Sequence, residues 1–257
     1  KDFSAYVEKG KKIAIVGPTG SGKTTTLYMI LEKLAQGQIN ISTIEDPVER
    51  KLNRINQMQV NTMSGLTFDR GLRALMRQDP DVIMVGETRD KETAEISVRA
   101  AITGHLVVST MHTNNAVGTL NRIADMGIAR YLVADAIIGV IAQRLVRKLC
   151  PHCRKKRLAT DEEKRILKRS AAEQTEIYEP GGCRLCSNTG YFGRTGVFEI
   201  MEVNDEMRKL IAENAPTEEM IAAAKKSGMR TLRENGIRYV LDGTTSISEM
   251  LKASYEE

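Results

Sequence analysis

Eight consecutive residues near the amino end, Gly17-Pro18-Thr19-Gly20-Ser21-Gly22-Lys23-Thr24, restrict the fold of this chain more than any other feature. Ahead of them lies the short β-branched run of residues 11–16, KKIAIV. Behind them KTTTLYMILEKLAQG places apolar residues at helical spacing until Gly37 ends the pattern. Strand, glycine loop and helix in this order match the phosphate-binding pattern GxxxxGK[ST]. In it, glycines let backbone N–H groups converge on a β-phosphate, and the helix N-terminus adds positive potential. Gly17, Thr19, Gly20, Ser21, Gly22, Lys23, Thr24 and Thr25 are therefore the expected nucleotide-binding residues. Lys23 is expected to reach the β- and γ-phosphates of ATP, and the Thr24 hydroxyl to ligate Mg²⁺.

The same alternation continues downstream. A strand from Ile39 to Ile44 runs into EDPVE, and 53–60 is a further strand. Thr67 caps a helix through Gln78, Val82–Val85 is a buried-type strand ending at Gly86-Glu87, and Asp90 caps a helix through Ala101. The apolar run from His105 to Thr110 is another strand. This predicts an α/β fold with a mainly parallel sheet and an active site along its carboxyl edge. Residues 114–149 read as successive helices. Thr160 with Glu163 forms a capping box opening a short helix to about Lys168, and 196–203 is a strand returning toward the core. The remainder is helical, with Asn204, Thr217 and Ser246 as caps and Ser246 with Glu249 as a second capping box.

Rapid hydrolysis needs a carboxylate to position water and cations to offset the charge of the transferred group. Two strand ends offer carboxylates, Glu45-Asp46-Pro47-Val48-Glu49 and the run from Asp79 to Glu87. Arg73, Arg77 and Arg89 flank the second. Arg70, Arg73 and Arg77 share one helix face, which suits a γ-phosphate site and surface ion pairing alike. His105 and His112 bracket an apolar strand, where histidine is more often a hydrogen-bonded structural residue than a catalyst.

Cys150-Pro-His-Cys153 and Cys183-Arg-Leu-Cys186 are two CxxC knuckles. Four thiolates can close a tetrahedral Zn²⁺ shell, leaving no open position and so implying a structural role; a redox dithiol or free thiols are the alternatives. His152 could replace one cysteine, although two complete pairs make that unnecessary. The chain divides accordingly into 1–149, a nucleotide-binding core; 150–195, the four-cysteine segment; and 196–257, the returning strand and helices.

The net charge of +5 comes with a basic cluster at Arg144, Arg147, Lys148 and Arg154–Arg157, either a solvated face or a surface for an acidic partner or membrane. Aromatics make up only 4% and do not interleave with it, which gives no support to nucleic-acid binding. No apolar run approaches the roughly 18 residues of a membrane span, and Lys1-Asp2-Phe3-Ser4 does not open a signal peptide. A cytoplasmic location is the expectation.

GPTGSGKTTTL, TIEDPVE, LRALMRQDPDVIMVGETRD, TGHLVVSTMHT, IAQRLVRKLC and TGYFGRTGVFEI occur in the order found in the traffic ATPases of type II secretion and type IV pilus assembly. The chain resembles that family over nearly its whole length. The resemblance implies a RecA-like P-loop core with a small zinc-bound insertion and C-terminal helices. It implies a homohexameric ATPase, peripheral at the inner face of the cell membrane, acting on an inner-membrane platform protein to drive pilin or pseudopilin assembly. By position it makes Glu49 the residue that polarises the attacking water, with Glu45 and Asp46 as acidic neighbours. Glu87 would support Mg²⁺, Arg89 would stabilise charge, and Arg73 and Arg77 would serve the nucleotide site. His112, and with it His105, would sense the γ-phosphate or a neighbouring subunit. The four cysteines point to the assembly and secretion branch, because pilus retraction ATPases resemble the same core without this insertion. Family members carry a further domain ahead of the phosphate loop, and 22 residues precede Lys23 here, so the resemblance implies a piece of a longer protein. A zinc-stabilised P-loop nucleic-acid translocase is the alternative reading.

Overall fold

In the computed structural model, which describes residues 12–254, the glycine loop joins β1 (Lys12–Val16) to α1 (Lys23–Leu34). Lys11, the first residue of the expected opening strand, and the Lys1–Ser4 start lie outside the described residues. The chain continues through β2 (Ile41–Glu45), β3 (Asn56–Gln59), α2 (Phe68–Leu75) with a 3₁₀ turn after it, and β4 (Val82–Val85). Next come α3 (Lys91–Ile102), β5 (Leu106–Met111), α4 (Ala116–Asp125), α5 (Arg130–Ala136) and β6 (Ile137–Leu149). Then follow β7 (Lys155–Leu158), α6 (Asp161–Ile166), β8 (Glu176–Glu179) and β9 (Tyr191–Glu202). The last elements are α7 (Asp205–Ala212), α8 (Thr217–Lys226), α9 (Leu232–Leu241) and α10 (Ile247–Ser254).

Among the described residues, seven strands form one sheet in the order β3-β2-β4-β5-β1-β6-β9, and those from β3 to β6 are parallel. β2, β4 and β5 are buried at every position, as strands of a covered parallel sheet are; β4 is a continuous apolar run, whereas β2 buries Ser42, Thr43 and Glu45 and β5 buries Ser109 and Thr110. Helix α1 packs on β1 and β5, and α2 on β2 and β4. The core is aliphatic, with Ile15, Leu27, Leu31, Ile41, Ile44, Ile83 and Leu120 fully buried.

The chain forms two compact units. The first runs through Ala142 and takes up Ile200–Met229; the second comprises Gln143–Glu199 and the segment from Arg230. The second has its own antiparallel pair, β7 with β8, and its own apolar cluster of Ala159, Leu167, Ile177, Ile237, Val240 and Met250. Arg157 pins that pair, reaching Glu163 at 2.6 Å and Glu179 at 2.8 Å. The Arg157 guanidinium holds the Glu163 carboxyl down at about 2.

Several local expectations hold. Asp90 caps α3 by accepting from Thr93 N–H at 2.8 Å, Asn204 caps α7, and Thr160 with Glu163 closes the capping box of α6. Others need correction. Residues 114–149 are not all helical: two helices end at Ala136, and Ile137–Leu149 is the long strand β6. A mixed apolar and basic run is ambiguous by periodicity alone. The backbone edge of β1 decides it, pairing Ile13 with Gly139 and Val16 with Ala142. Thr217 is the first residue of α8, whose cap is Pro216; its hydroxyl accepts from the Asn121 amide at 3.3 Å. Ser246 Oγ does accept from Glu249 N–H, but the Glu249 carboxylate turns to Arg147, taking its guanidinium at 2.7 Å and its N–H at 3.1 Å. The second capping box belongs instead to Thr231 and Glu234 of α9.

Candidate functional site

The phosphate loop leaves the carboxyl end of β1, where Gly17 N–H donates to Met111 O at 3.2 Å and so ties the loop to the end of β5. Gly20 and Gly22 have φ of 78° and 81°, a left-handed conformation that a side chain would strain. Gly22 is the N-cap of α1; no side chain caps the helix and its first turn carries no acid. Such a start presents N–H groups and positive potential to an anion. Lys23 Nζ lies inside the loop, donating to Gly17 O at 2.6 Å and Pro18 O at 3.0 Å. Thr24 is half-buried, while Thr19 and Thr25 are exposed. A lysine enclosed by a glycine loop, with a hydroxyl at the next position, fits the phosphates and metal of a nucleotide.

Neighbouring strands bring the acidic ends to this edge, because β2, β4, β5 and β1 are consecutive in the sheet and parallel. Glu87 Oε1 lies 2.6 Å from Arg89 Nε and 2.7 Å from His112 Nε2, so residues from the ends of β4 and β5 meet on one carboxylate. The hydrogen bond and charge of Glu87 push the Arg89 pKa up. Gly86 before it allows close approach: a Cβ there would stand 3.2 Å from the Glu45 Cα and the Ile44 carbonyl oxygen. Thr110 Oγ1 donates to Gly86 O at 2.7 Å, and Gly86 N–H to Ile44 O at 2.8 Å, which fixes the turn.

At the end of β2 the two glutamates differ sharply. Glu45 is buried and accepts hydrogen bonds from Tyr28 Oη, Thr43 Oγ1 and Gln57 Nε2. Glu49 is exposed, and its backbone N–H donates to Tyr28 Oη at 3.1 Å. Burial first, then the hydrogen bond and charge of Glu45, push the Tyr28 phenol up to about 12. Asp46 is exposed and precedes the cis peptide to Pro47. Arg73 lies on α2 and Arg77 on the 3₁₀ turn after it; both are exposed and, among the described residues, neither forms an ion pair. The structure does not join them to the Glu87 cluster.

His105 is placed differently from His112. It precedes β5, at the amino edge of the sheet, where Nδ1 lies 3.0 Å from Ala100 O and 3.3 Å from Thr103 Oγ1. At about 3.3 Å per residue, the seven steps from His105 across β5 to His112 separate the two histidines by roughly 23 Å. Within this chain His105 therefore lies away from the phosphate loop and ties down the C-terminal end of α3, which leaves the neighbouring subunit as the expected alternative for it.

In the second unit the sulfurs of Cys150, Cys153, Cys183 and Cys186 all lie within 4.8 Å of one another, and exposed His152 is not among them. The pairs Cys150–Cys183, Cys153–Cys186 and Cys183–Cys186 stand at 3.9, 3.7 and 3.7 Å. Four sulfurs bound tetrahedrally at about 2.3 Å would be about 3.8 Å apart, whereas a disulfide requires about 2.05 Å. The donor set thus fits zinc. Gly190 N–H donates to Cys186 Sγ at 3.3 Å, a backbone contact that favours a thiolate.

The sequence reading missed Tyr28, Thr43 and Gln57. Tyr28 stands beside Leu27 and Leu31 on an apolar helix, where a tyrosine reads as core, so no local signal marked it.

These features define a P-loop nucleotide-binding α/β protein of the RecA-like kind with a four-cysteine cluster that could hold a metal ion. The family model described as "Type II/IV secretion system protein" matches residues 1–252, and the chain belongs to that family. It is 48% identical over 245 residues to the Type II secretion system protein E of Pseudomonas aeruginosa, covering 95% of this chain and 49% of that protein. It is also 48% identical over 245 residues to the Type IV pilus assembly ATPase TfpB of Acinetobacter baylyi, covering 93% of this chain and 41% of the relative. The chain thus spans about half the length, or less, of these curated relatives. Among solved structures it superimposes on the pilus retraction motor PilT with bound ADP at a TM-score of 0.73 and 30% identity, over 96% of this chain and 62% of that one. No helix among the described residues is long and apolar enough to cross a membrane.

Proposed function

We propose that this chain is the nucleotide-hydrolysing part of a type II secretion or type IV pilus assembly motor, which uses ATP to drive pilin or pseudopilin assembly at the inner membrane. The observation that carries the reading is the common carboxyl edge of the Lys23 loop and the Glu87–Arg89–His112 cluster. The names of the relatives support the choice of machine.

In this reading Gly17, Thr19, Gly20, Ser21, Gly22, Lys23, Thr24 and Thr25 hold the phosphates of ATP. Thr24 ligates Mg²⁺ and Glu87 supports its shell; the metal, when bound, offsets phosphate charge. Glu49 orients the attacking water, which its exposure permits. Arg89, Arg73 and Arg77 stabilise charge on the transferred group, and His112 reports on the γ-phosphate through its contact with Glu87. Cys150, Cys153, Cys183 and Cys186 hold one structural Zn²⁺, making 150–195 a zinc-bearing segment between the core of 1–149 and the helical part of 196–257. The full-length protein works as a homohexamer on the cytoplasmic face of the membrane, held there by an inner-membrane platform protein.

Lys23→Ala tests the reading. It removes the cation that spans the β- and γ-phosphates, so steady-state phosphate release should vanish and ATP binding weaken. Phosphate release at the wild-type rate would overturn it.

A further inference from the structure

Helix α1 starts at the phosphate loop, and Tyr28 lies five residues along it, about 7.5 Å of helix axis from Lys23. Its hydroxyl takes part in two hydrogen bonds of opposite sense. It donates to the buried Glu45 carboxylate and accepts from the backbone N–H of Glu49 at 3.1 Å. Glu45 is held in turn by Thr43 and Gln57, neighbours on the paired strands β2 and β3. Arg50, next to Glu49, lies with its guanidinium 5.7 Å from the centre of the Tyr28 ring and reaches Glu32 of the same helix at 2.9 Å. On the other side of the acidic loop, Val48 N–H donates to Gln59 Oε1 at 3.1 Å. The segment bearing Glu49 is thus fastened to α1 through the buried end of the Tyr28 phenol and the exposed Arg50–Glu32 ion pair, and to the sheet through glutamine side chains.

We infer that Tyr28 is a positioning residue for hydrolysis: its hydroxyl, anchored by Glu45, sets the backbone at Glu49 and so fixes that carboxylate relative to the helix that begins at the phosphates. Glu45 then serves as an anchor and not as an acid or base, since all three of its partners are protein groups in a buried site. The phenol keeps its proton at neutral pH, its pKa lying near 12, and therefore remains a donor to Glu45 while Glu49 N–H donates to it. The inference rests on the proposed role of Glu49 in orienting water.

Tyr28→Phe removes the hydroxyl and keeps the ring, so the apolar packing of α1 is retained. Two readouts on the full chain decide the matter. Backbone hydrogen exchange over residues 46–52 should accelerate at the Glu49 amide. Turnover should fall on the order of tenfold, the effect of losing about one hydrogen bond at the transition state, with KM and fluorescent-nucleotide affinity within about twofold of wild type. Unchanged exchange at Glu49, or wild-type turnover in Tyr28→Phe while Glu49→Gln is inactive, would overturn the positioning role and leave the ATPase reading standing. An active Glu49→Gln would instead overturn the role of Glu49 and the inference with it, whereas an active Lys23→Ala would defeat the ATPase reading itself.

Discussion

Removing zinc should unfold the second unit and leave nucleotide binding in place. The four sulfurs bridge residues 150–153 to 183–186, so the metal closes a loop of about thirty residues. Chain-closure entropy for a loop of that length is worth roughly 3–4 kcal/mol. Conversion at about 4–8 °C per kcal/mol for a small domain gives a fall in melting temperature of roughly 10–30 °C. The apolar cluster around Ile177, Val240 and Met250 is modest, so a bound metal would supply a large share of the unit's stability. The phosphate loop, Glu49, Glu87 and His112 all belong to the first unit. Elemental analysis should find one zinc per chain, absent from Cys150→Ser. Calorimetry with and without chelator should show the lower transition moving by that amount, and a fluorescent ATP analogue should bind as before. A zinc-free protein with an unchanged thermogram would refute the structural role, and loss of nucleotide binding along with the metal would refute the independence of the two sites.

Glu49→Gln should bind ATP without turning it over, because the amide keeps the shape and loses the charge that orients water. Should Glu87→Gln trap ATP while Glu49→Gln stays active in a phosphate-release assay, the two roles are exchanged. Lys12→Met addresses a buried cation: Lys12 is fully buried, its Nζ has no partner among the described residues, and desolvation lowers its pKa to about 8. Methionine should raise stability at pH 7 by about 1–3 kcal/mol in urea unfolding. Because the folded pKa lies below the unfolded value of 10.5, the unfolded state binds more protons between those limits. Wild-type stability should therefore rise relative to Lys12→Met as pH climbs from about 8 to 10.5, and a constant difference across that window would contradict the assignment.

Local chemistry determined much of this protein from sequence alone. A glycine loop with its lysine can serve little else, Val82–Val85 is too apolar and too short to be anything but a buried strand, and Asp90, Asn204 and Thr160 satisfy helix N–H groups within three residues of themselves. Two CxxC pairs likewise announce a tetrahedral donor set before any coordinates. Tertiary structure decided whatever depended on partners distant in sequence. Ile137–Leu149 became a strand because β1 offered it an edge, and Glu249 left its capping role because Arg147 offered a charge. Glu45, read as one acid among three, is consumed by Tyr28, Thr43 and Gln57, while Glu49 remains exposed. His105 and His112, equivalent in a linear reading, stand at opposite ends of β5. A strand's direction within a parallel sheet is set by its neighbours, and that direction alone puts one histidine beside Glu87 and the other far from the phosphate loop.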